Sequence, residues 1–242
     1  MELGATPPFE AVFNFRDLGG LPTTDGRTTR AGVLFRSASW NDATPKDMAV
    51  LAATMGVKTL IDLRQHDEIA QFPMKSAWPG KATNVPLFGP DEQSALFATL
   101  GAAYVAFLKR PQVARRLVEV VQVLGALGTA PAVYYCAAGK DRTGLVTAAV
   151  LGSLGVPDDM IVADYTDTNE HLDAMYRFWA KNALSSIDEH RKLRPELVSA
   201  PAEAMRAVLA SVRADFGSMR GYLSEHGTSQ TVFEGLERTL LG

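Results

Sequence analysis

A cysteine and an arginine six positions apart are the residues of this sequence best suited to chemistry on a tetrahedral oxyanion. Cys136 is the single cysteine of the 242-residue chain, and a cysteine thiolate is a strong nucleophile. The planar guanidinium of Arg142 can hold two oxygens of one phosphoryl group, which a lysine meets only as a point charge. The pair predicts attack of sulfur on phosphorus, with a covalent cysteinyl-phosphate intermediate.

The segments on either side of this pair predict the geometry of an anion site. The continuous apolar run at 132–135 indicates a buried parallel strand. Apolar residues at helical spacing over 144–154 indicate a helix. Because only a short loop joins the two, several backbone N–H groups and the positive end of the helix dipole converge on one point.

We expect the loop to bind the phosphate of a substrate without a metal or a cofactor. The predicted substrate-binding residues are Ala137, Ala138, Gly139, Lys140 and Thr143. Thr143 can also donate a hydrogen bond to the sulfur of Cys136. The charge of Lys140 suits a substrate that carries more than one phosphate.

An inert packed thiol and a Walker A loop are the alternative interpretations of this stretch. Three consecutive charged residues, 140–142, follow the predicted strand, and buried charges are costly unless they face a cleft or a ligand. A Walker A loop needs Ser or Thr after its lysine and glycine at its first position. This chain has Asp141 and Tyr134 there, so the second alternative fails.

The pattern Cys-x5-Arg-Thr-Gly resembles the signature loop of the cysteine-dependent protein-tyrosine phosphatases. Its fuller form, Cys-Ala-Ala-Gly-Lys-Asp-Arg-Thr-Gly at 136–144, is similar to that of the bacterial tyrosine/lipid phosphatases of dual or triple specificity. Asn-Phe-Arg-Asp-Leu-Gly-Gly at 14–20, followed by Leu-Phe-Arg-Ser at 34–37, is a second match to this subgroup. One departure is Tyr135, where the family usually has histidine.

The resemblance implies an α/β fold with a central, mostly parallel sheet flanked by helices, the three-layer arrangement of tyrosine phosphatases. It also implies a C-terminal helical segment. We predict one phosphatase domain over residues 1–242, with a helical lid at about 171–198. In that stretch Met175, Phe178 and Trp179 form an apolar cluster at helical spacing and a basic run follows at 190–194. Ordinary core packing and a solvated basic face are the alternatives.

Two aspartates are candidates for the general acid that protonates the leaving group. The resemblance implies that Asp141, inside the loop, can serve in this role. Its neighbours Lys140 and Arg142 oppose the protonated form, whereas a bound dianionic phosphate favours it. The alternative acid is Asp91, which follows a predicted strand at 83–87, where dual-specificity phosphatases often carry their acid. We favour Asp141.

Several other residues are predicted to support the loop or to lie near it. Arg16 and Asp17 are expected either to brace the loop from beneath or to form a local ion pair on a surface strand. Tyr165 and Asn169 lie one helical turn apart, either towards the loop or on an ordinary helix surface. Residues 65–68 are expected to form a polar loop after a strand.

The composition limits the classes of binding partner and the cellular compartments that are expected for this protein. The net charge of −3 argues against general nucleic-acid binding, and no apolar run is long enough for membrane insertion. A single cysteine excludes an intrachain disulfide and suits a reducing compartment. The first residues do not resemble a secretory signal, so a cytoplasmic location is expected. No oligomeric state is predicted.

The sequence therefore predicts a phosphatase that acts on phosphotyrosine, and also on phosphoserine, phosphothreonine or phosphoinositides. The expected partner is a phosphorylated protein or a phosphoinositide. The alternative is a catalytically weak pseudophosphatase that binds phosphate as an interaction module. A Cys–His hydrolase is a weaker rival because none of the four histidines neighbours Cys136 in sequence.

Overall fold

The structure, a computed structural model, describes residues 9–88, 98–126, 128–181 and 198–242. Its strands are β1 (Arg16–Asp17), β2 (Leu34–Ser37), β3 (Thr59–Asp62), β4 (Lys81–Asn84) and β5 (Ala132–Tyr135). Its helices are α1 (Pro45–Ala49), α2 (His66–Gln71), α3 (Leu100–Leu108), α4 (Pro111–Gly125), α5 (Asp141–Ser153), α6 (Asp158–Lys181), α7 (Ala202–Phe216), α8 (Met219–Glu225) and α9 (Gln230–Leu240). One π-helical turn over Val50–Thr54 extends α1.

The strands form one sheet in the order β1-β2-β5-β3-β4, with β5 at its centre. The four strands from β2 to β4 in this order are parallel, and only the short edge strand β1 runs antiparallel. Strand β5 is buried along its whole length, as its uninterrupted apolar sequence predicts. The predicted α/β fold with a mostly parallel sheet is confirmed.

Side chains alternate along β5 between two hydrophobic layers. Ala132, Tyr134 and, just beyond the strand, Cys136 face a large core shared with helices α3 to α9. Val133 and Tyr135 face a smaller core on the other side, together with the aromatic N-terminal segment and α1. Because both faces are covered, the carboxyl end of the sheet is the open edge where loops can form a site.

Strand β4 and helix α2 differ from the prediction in the residues at which they begin. Strand β4 lies two residues earlier than the predicted strand at 83–87. The expected polar loop at 65–68 is wrong, because α2 begins at His66. Its first turn is stabilised by the carboxylate of Glu68, which accepts the N–H of Gln65 at 3.0 Å. The polar composition of residues 65–68 predicts a loop, whereas the hydrogen bond from Gln65 to Glu68 is the capping pattern of a helix start.

Helix α6 is longer than predicted and includes the first part of the expected lid. Residues 171–181 continue it without a break, and its buried residues Leu172, Met175 and Tyr176 pack against Ala38. The remainder of the expected lid, 182–197, including the basic run, lies outside the described residues. None of the helices within the described ranges combines the length and apolar character needed to cross a bilayer.

Candidate active site

The nucleophile candidate lies where the central strand ends. Cys136 follows β5 directly and is 2% exposed. The hydroxyl of Thr143, in the first turn of α5, donates a hydrogen bond to the Cys136 sulfur at 3.2 Å. Strand, loop and helix are therefore arranged as predicted, and α5 begins three residues earlier than expected, at Asp141. The loop consequently lies at the N-terminus of that helix, where negative charge is favoured.

The carbonyl groups of the loop are bound from one side. The N–H of Ser39 donates to the carbonyl of Ala137 at 3.0 Å, and the side-chain amide of Asn14 donates to those of Ala138 and Gly139, each at 3.0 Å. In a trans peptide group the N–H points away from the C=O. The amides that follow these three carbonyls are therefore directed to the opposite side of the loop, as an anion cradle requires.

A buried ion network holds this carbonyl side in place. Arg36 is 0% exposed and donates to the carbonyl of Gly139 at 2.7 Å and to the carboxylate of Asp164. Arg16 donates to the same carboxylate at 2.7 Å and to the side-chain oxygen of Asn14. Burial raises the pKa of Asp164, but Arg36 and Arg16 outweigh it and hold that pKa below its usual value.

Of the two alternatives for the N-terminal motif, bracing of the loop applies to Arg16, which acts through Asn14, and does not apply to Asp17. The carboxylate of Asp17 accepts the N–H groups of Gly19 at 2.9 Å and Gly32 at 2.6 Å. It shapes the connection between β1 and β2 and does not reach the loop. Neighbouring side chains in a strand point to opposite faces. Arg16 therefore contacts the network beneath the loop, and Asp17 contacts the connection between β1 and β2.

Gly139 allows the loop to pass close to the neighbouring strand. Its φ is +65°, a conformation that glycine adopts at little cost. A β-carbon at this position would lie 2.4 Å from the carbonyl oxygen of Ser37, at the end of β2. The position therefore excludes any larger residue for both conformational and steric reasons.

Arg142 is paired with Glu68, a residue that the sequence analysis did not single out. Both terminal nitrogens of Arg142 donate to the Glu68 carboxylate, one of them at 2.8 Å. Burial lowers the pKa of Arg142, but the hydrogen bond to Glu68 and the charges of Cys136 and Asp141 outweigh it and raise that pKa. Arg142 therefore stays charged, fixed in orientation, and in electrostatic contact with the sulfur.

The two other charged residues of the loop differ in exposure. Lys140 is 2% exposed, and its ammonium group donates to the carbonyl of Ser199 at 3.1 Å. The charge expected for a second phosphate is therefore buried and already has partners in the protein, Ser199 and the carboxylate of Asp141 at 3.4 Å. The side chain of Asp141 is 35% exposed and receives a hydrogen bond from Tyr104. The alternative acid, Asp91, lies outside the described residues.

Tyr135, where the family usually has histidine, belongs to the other face of the sheet. Its hydroxyl donates to the carboxylate of Asp62 at 3.1 Å, and the guanidinium of Arg64 lies 5.7 Å from its ring centroid. Burial raises the pKa of Tyr135, so it remains a neutral donor. It fixes the end of β5 to the end of β3.

Tyr165 and Asn169, which were predicted to share one face of α6, make contacts with different parts of the protein. Tyr165 lies against α5, where a β-carbon on Gly144 would be 2.9 Å from its ring. Asn169 exchanges two hydrogen bonds with the backbone of Ala200, at 2.8 and 3.0 Å. Of the two alternatives, an orientation towards the loop does not apply to Asn169, which fixes the chain where it returns before α7.

These features define a class of α/β protein in which a nucleophilic thiol and a bound guanidinium share one anion-binding loop. The model of the tyrosine phosphatase family matches residues 7–242, and the chain belongs to that family. It is a phosphatase, as the sequence predicts. It is 27% identical over 280 residues to the triple specificity protein phosphatase PtpB of Mycobacterium tuberculosis, covering 96% of this chain and 97% of that one. It is 29% identical over 224 residues to a tyrosine-protein phosphatase of Nostoc commune, covering 86% and 74% respectively.

Proposed function

We propose that the protein hydrolyses phosphate monoesters through a cysteinyl-phosphate intermediate on Cys136. The observation that carries the proposal is the arrangement at the end of β5. One sulfur there accepts a hydrogen bond from Thr143, neighbours the guanidinium of Arg142, and adjoins a loop whose carbonyls are bound on the opposite side. The family match over 7–242 supports treating the chain as a single phosphatase domain.

In the first step the Cys136 thiolate attacks phosphorus, and the bond from phosphorus to the ester oxygen breaks. Arg142 and the amides of residues 138–140 hold the non-bridging oxygens, whose charge is spread most widely in the transition state. Asp141 gives its proton to the departing oxygen. In the second step Asp141 takes a proton from water, which attacks phosphorus and breaks the phosphorus–sulfur bond, so thiolate and acid are both regenerated.

The proposed substrates are phosphotyrosine residues, with phosphoserine, phosphothreonine and phosphoinositides as further candidates. The relative from Mycobacterium tuberculosis is named for triple specificity, which supports this range. The buried ammonium of Lys140 contributes less to a second phosphate than the sequence suggests, which favours substrates with a single phosphate. A reducing compartment such as the cytoplasm would keep the single cysteine as a thiol.

The test is the Cys136→Ser variant, assayed with 4-nitrophenyl phosphate and with a phosphotyrosine peptide. We expect turnover to fall to background while the peptide still binds, because the loop and Arg142 remain. Retention of substantial hydrolysis would refute the nucleophile assignment. A wild-type protein that binds the peptide but never turns it over would instead support the interaction-module alternative.

A further inference from the structure

Within the described residues, the two polar contacts of the side chain of Asp141, the candidate acid, involve the same carboxylate oxygen. The hydroxyl of Tyr104 donates to Oδ1, and the ammonium nitrogen of Lys140 lies 3.4 Å from Oδ1. Within the described part of the chain, Oδ1 is therefore the atom by which the protein fixes this side chain. The other oxygen, Oδ2, belongs to a side chain that is 35% exposed, beside the loop that is proposed to bind phosphate.

Tyr104 is itself held rigidly. It is 1% exposed on α3, and its hydroxyl oxygen lies 2.9 Å from that of Tyr165 on α6. A phenol has one proton to donate, and Tyr104 directs it to Asp141, so Tyr165 is the donor to Tyr104. The two rings meet edge to face, with centroids 6.2 Å apart.

The short residue at position 144 makes this chain of hydrogen bonds possible. A β-carbon on Gly144 would lie 2.9 Å from the ring of Tyr165, so only glycine lets that ring approach α5. Burial, together with Asp141 and Tyr165, raises the pKa of Tyr104 well above its ordinary value. Tyr104 consequently stays protonated, and remains a donor, at any pH at which the enzyme would work.

We propose that Tyr104 is a positioning residue for the general acid, holding Oδ1 of Asp141 so that Oδ2 faces the leaving group. The proposal rests on the proposed function. The proton that moves in the first step is then the one on Oδ2, and the ester oxygen receives it as its bond to phosphorus breaks. Tyr104 keeps its own proton throughout and does not touch the substrate.

The test compares phenyl phosphate, which needs protonation of its leaving group, with 4-nitrophenyl phosphate, which hardly does. General acid catalysis contributes typically 10²–10⁴-fold, and we expect Tyr104→Phe to lose about tenfold more kcat/KM on phenyl phosphate than on 4-nitrophenyl phosphate. The ratio kcat/KM reports the first step, whereas the second step is the same for both substrates. Asp141→Asn should show a larger difference in the same sense. The double variant should match Asp141→Asn, because Tyr104 acts only through that carboxylate.

Tyr222→Phe is the matched control. It also removes one buried hydroxyl, which donates to the carbonyl of Leu108 at 2.8 Å, at the far end of the same helix α3. Both substrates should respond to it equally. If Tyr104→Phe fails to fold, Tyr165→Phe is the variant that tests the proposal. We expect it to lose activity selectively on phenyl phosphate, by a smaller factor than Tyr104→Phe.

Equal losses on the two substrates in Tyr104→Phe would overturn the positioning role while leaving the nucleophile untouched. The same holds for Tyr165→Phe if it becomes the deciding variant. Absence of any selective loss in Asp141→Asn would overturn both the acid assignment and the role of Tyr104. Hydrolysis that persists in Cys136→Ser would instead contradict the proposed function itself, so the failures are distinguishable.

Discussion

Arg142 is charged and buried, and the orientation of its guanidinium group depends on its ion pair with the carboxylate of Glu68. Glu68 binds both of its terminal nitrogens, although the two residues are 74 positions apart. The Arg142 and Glu68 side chains are 11% and 17% exposed, so solvent screens the pair only weakly. A free arginine side chain would sample many rotamers, and Glu68 removes this freedom before the substrate arrives.

Glu68→Gln should therefore reduce kcat/KM for 4-nitrophenyl phosphate by about tenfold, since small errors in the position of a catalytic group are costly. The variant keeps the size of the side chain and removes its charge. Glu119→Gln is a suitable control, because Glu119 pairs with Arg116 on an exposed face of α4, with side chains 41% and 44% exposed. Wild-type kinetics in Glu68→Gln would show that Arg142 is oriented by other contacts.

At the scale of elements, the packing of α5 against α6 depends on the glycine that ends the signature loop. In an unhindered helix, replacement of glycine by alanine stabilises by about 1 kcal/mol. At position 144 the added carbon would lie 2.9 Å from the Tyr165 ring, too close for an ordinary contact. The two helices would have to separate, which disturbs the tyrosine pair described above.

Gly144→Ala should consequently lower the free energy of unfolding by about 1–3 kcal/mol, the usual range for an overpacked core. Chemical denaturation of the wild type and the variant measures the change. In a Tyr165→Ala background the same substitution should be neutral or stabilising, because the clashing ring is absent. Stabilisation by Gly144→Ala alone would contradict the proposed close contact.

Elements that carry a local signal were predictable from the sequence. The predicted strand 132–135 coincides with β5, because a continuous apolar run fits a strand buried on both faces. Threonine is a preferred residue at the start of a helix, and Thr44 caps α1, since its hydroxyl accepts the N–H of Asp47 at 3.1 Å. By contrast, β4 has exposed or half-buried residues and no clear periodicity, and its predicted position was displaced.

Contacts between distant residues were the part that the sequence could not predict. Nothing in the composition around Glu68 indicates a partner in the first turn of α5, and the pairing follows only from the adjacency of β3 and β5. The participation of Tyr104 in the site depends in the same way on how α3 packs. Lys140 was placed correctly in the loop, but the direction of its side chain depends on Ser199, 59 positions away.

At the scale of the whole molecule, one buried carboxylate joins the N-terminal strand pair to α6. Asp164 is bonded to Arg16 on β1 and Arg36 on β2, and its side chain is 8% exposed. Its pKa is lowered in the folded protein, so folding favours the ionised form. The stability it contributes is present above its unfolded pKa, about 3.9, and is lost as the pH falls through the folded value.

We therefore expect Asp164→Asn to lower the free energy of unfolding near neutral pH by about 3 kcal/mol, because it removes the counter-ion of the fully buried Arg36 and leaves Arg16 with the exposed carboxylate of Asp167, 3.6 Å away. Its stability should also fall less steeply than that of the wild type below about pH 4. Asp158→Asn is the control, because Asp158 lies on the same helix as Asp164 and forms an exposed pair with Arg213 of α7. Parallel pH profiles for Asp164→Asn and the wild type would contradict this role.

The order of the strands has a consequence for the protein as it is synthesised. Among the five strands of the described chain, β5 is the last to leave the ribosome, yet it fills the gap between β2 and β3. Until residue 135 emerges, those two strands present unpaired edges to which other nascent chains or chaperones can bind. The strand that pairs these edges continues directly into the cysteine loop, so the reactive thiol takes its place at the end of the strand that removes these two unpaired edges.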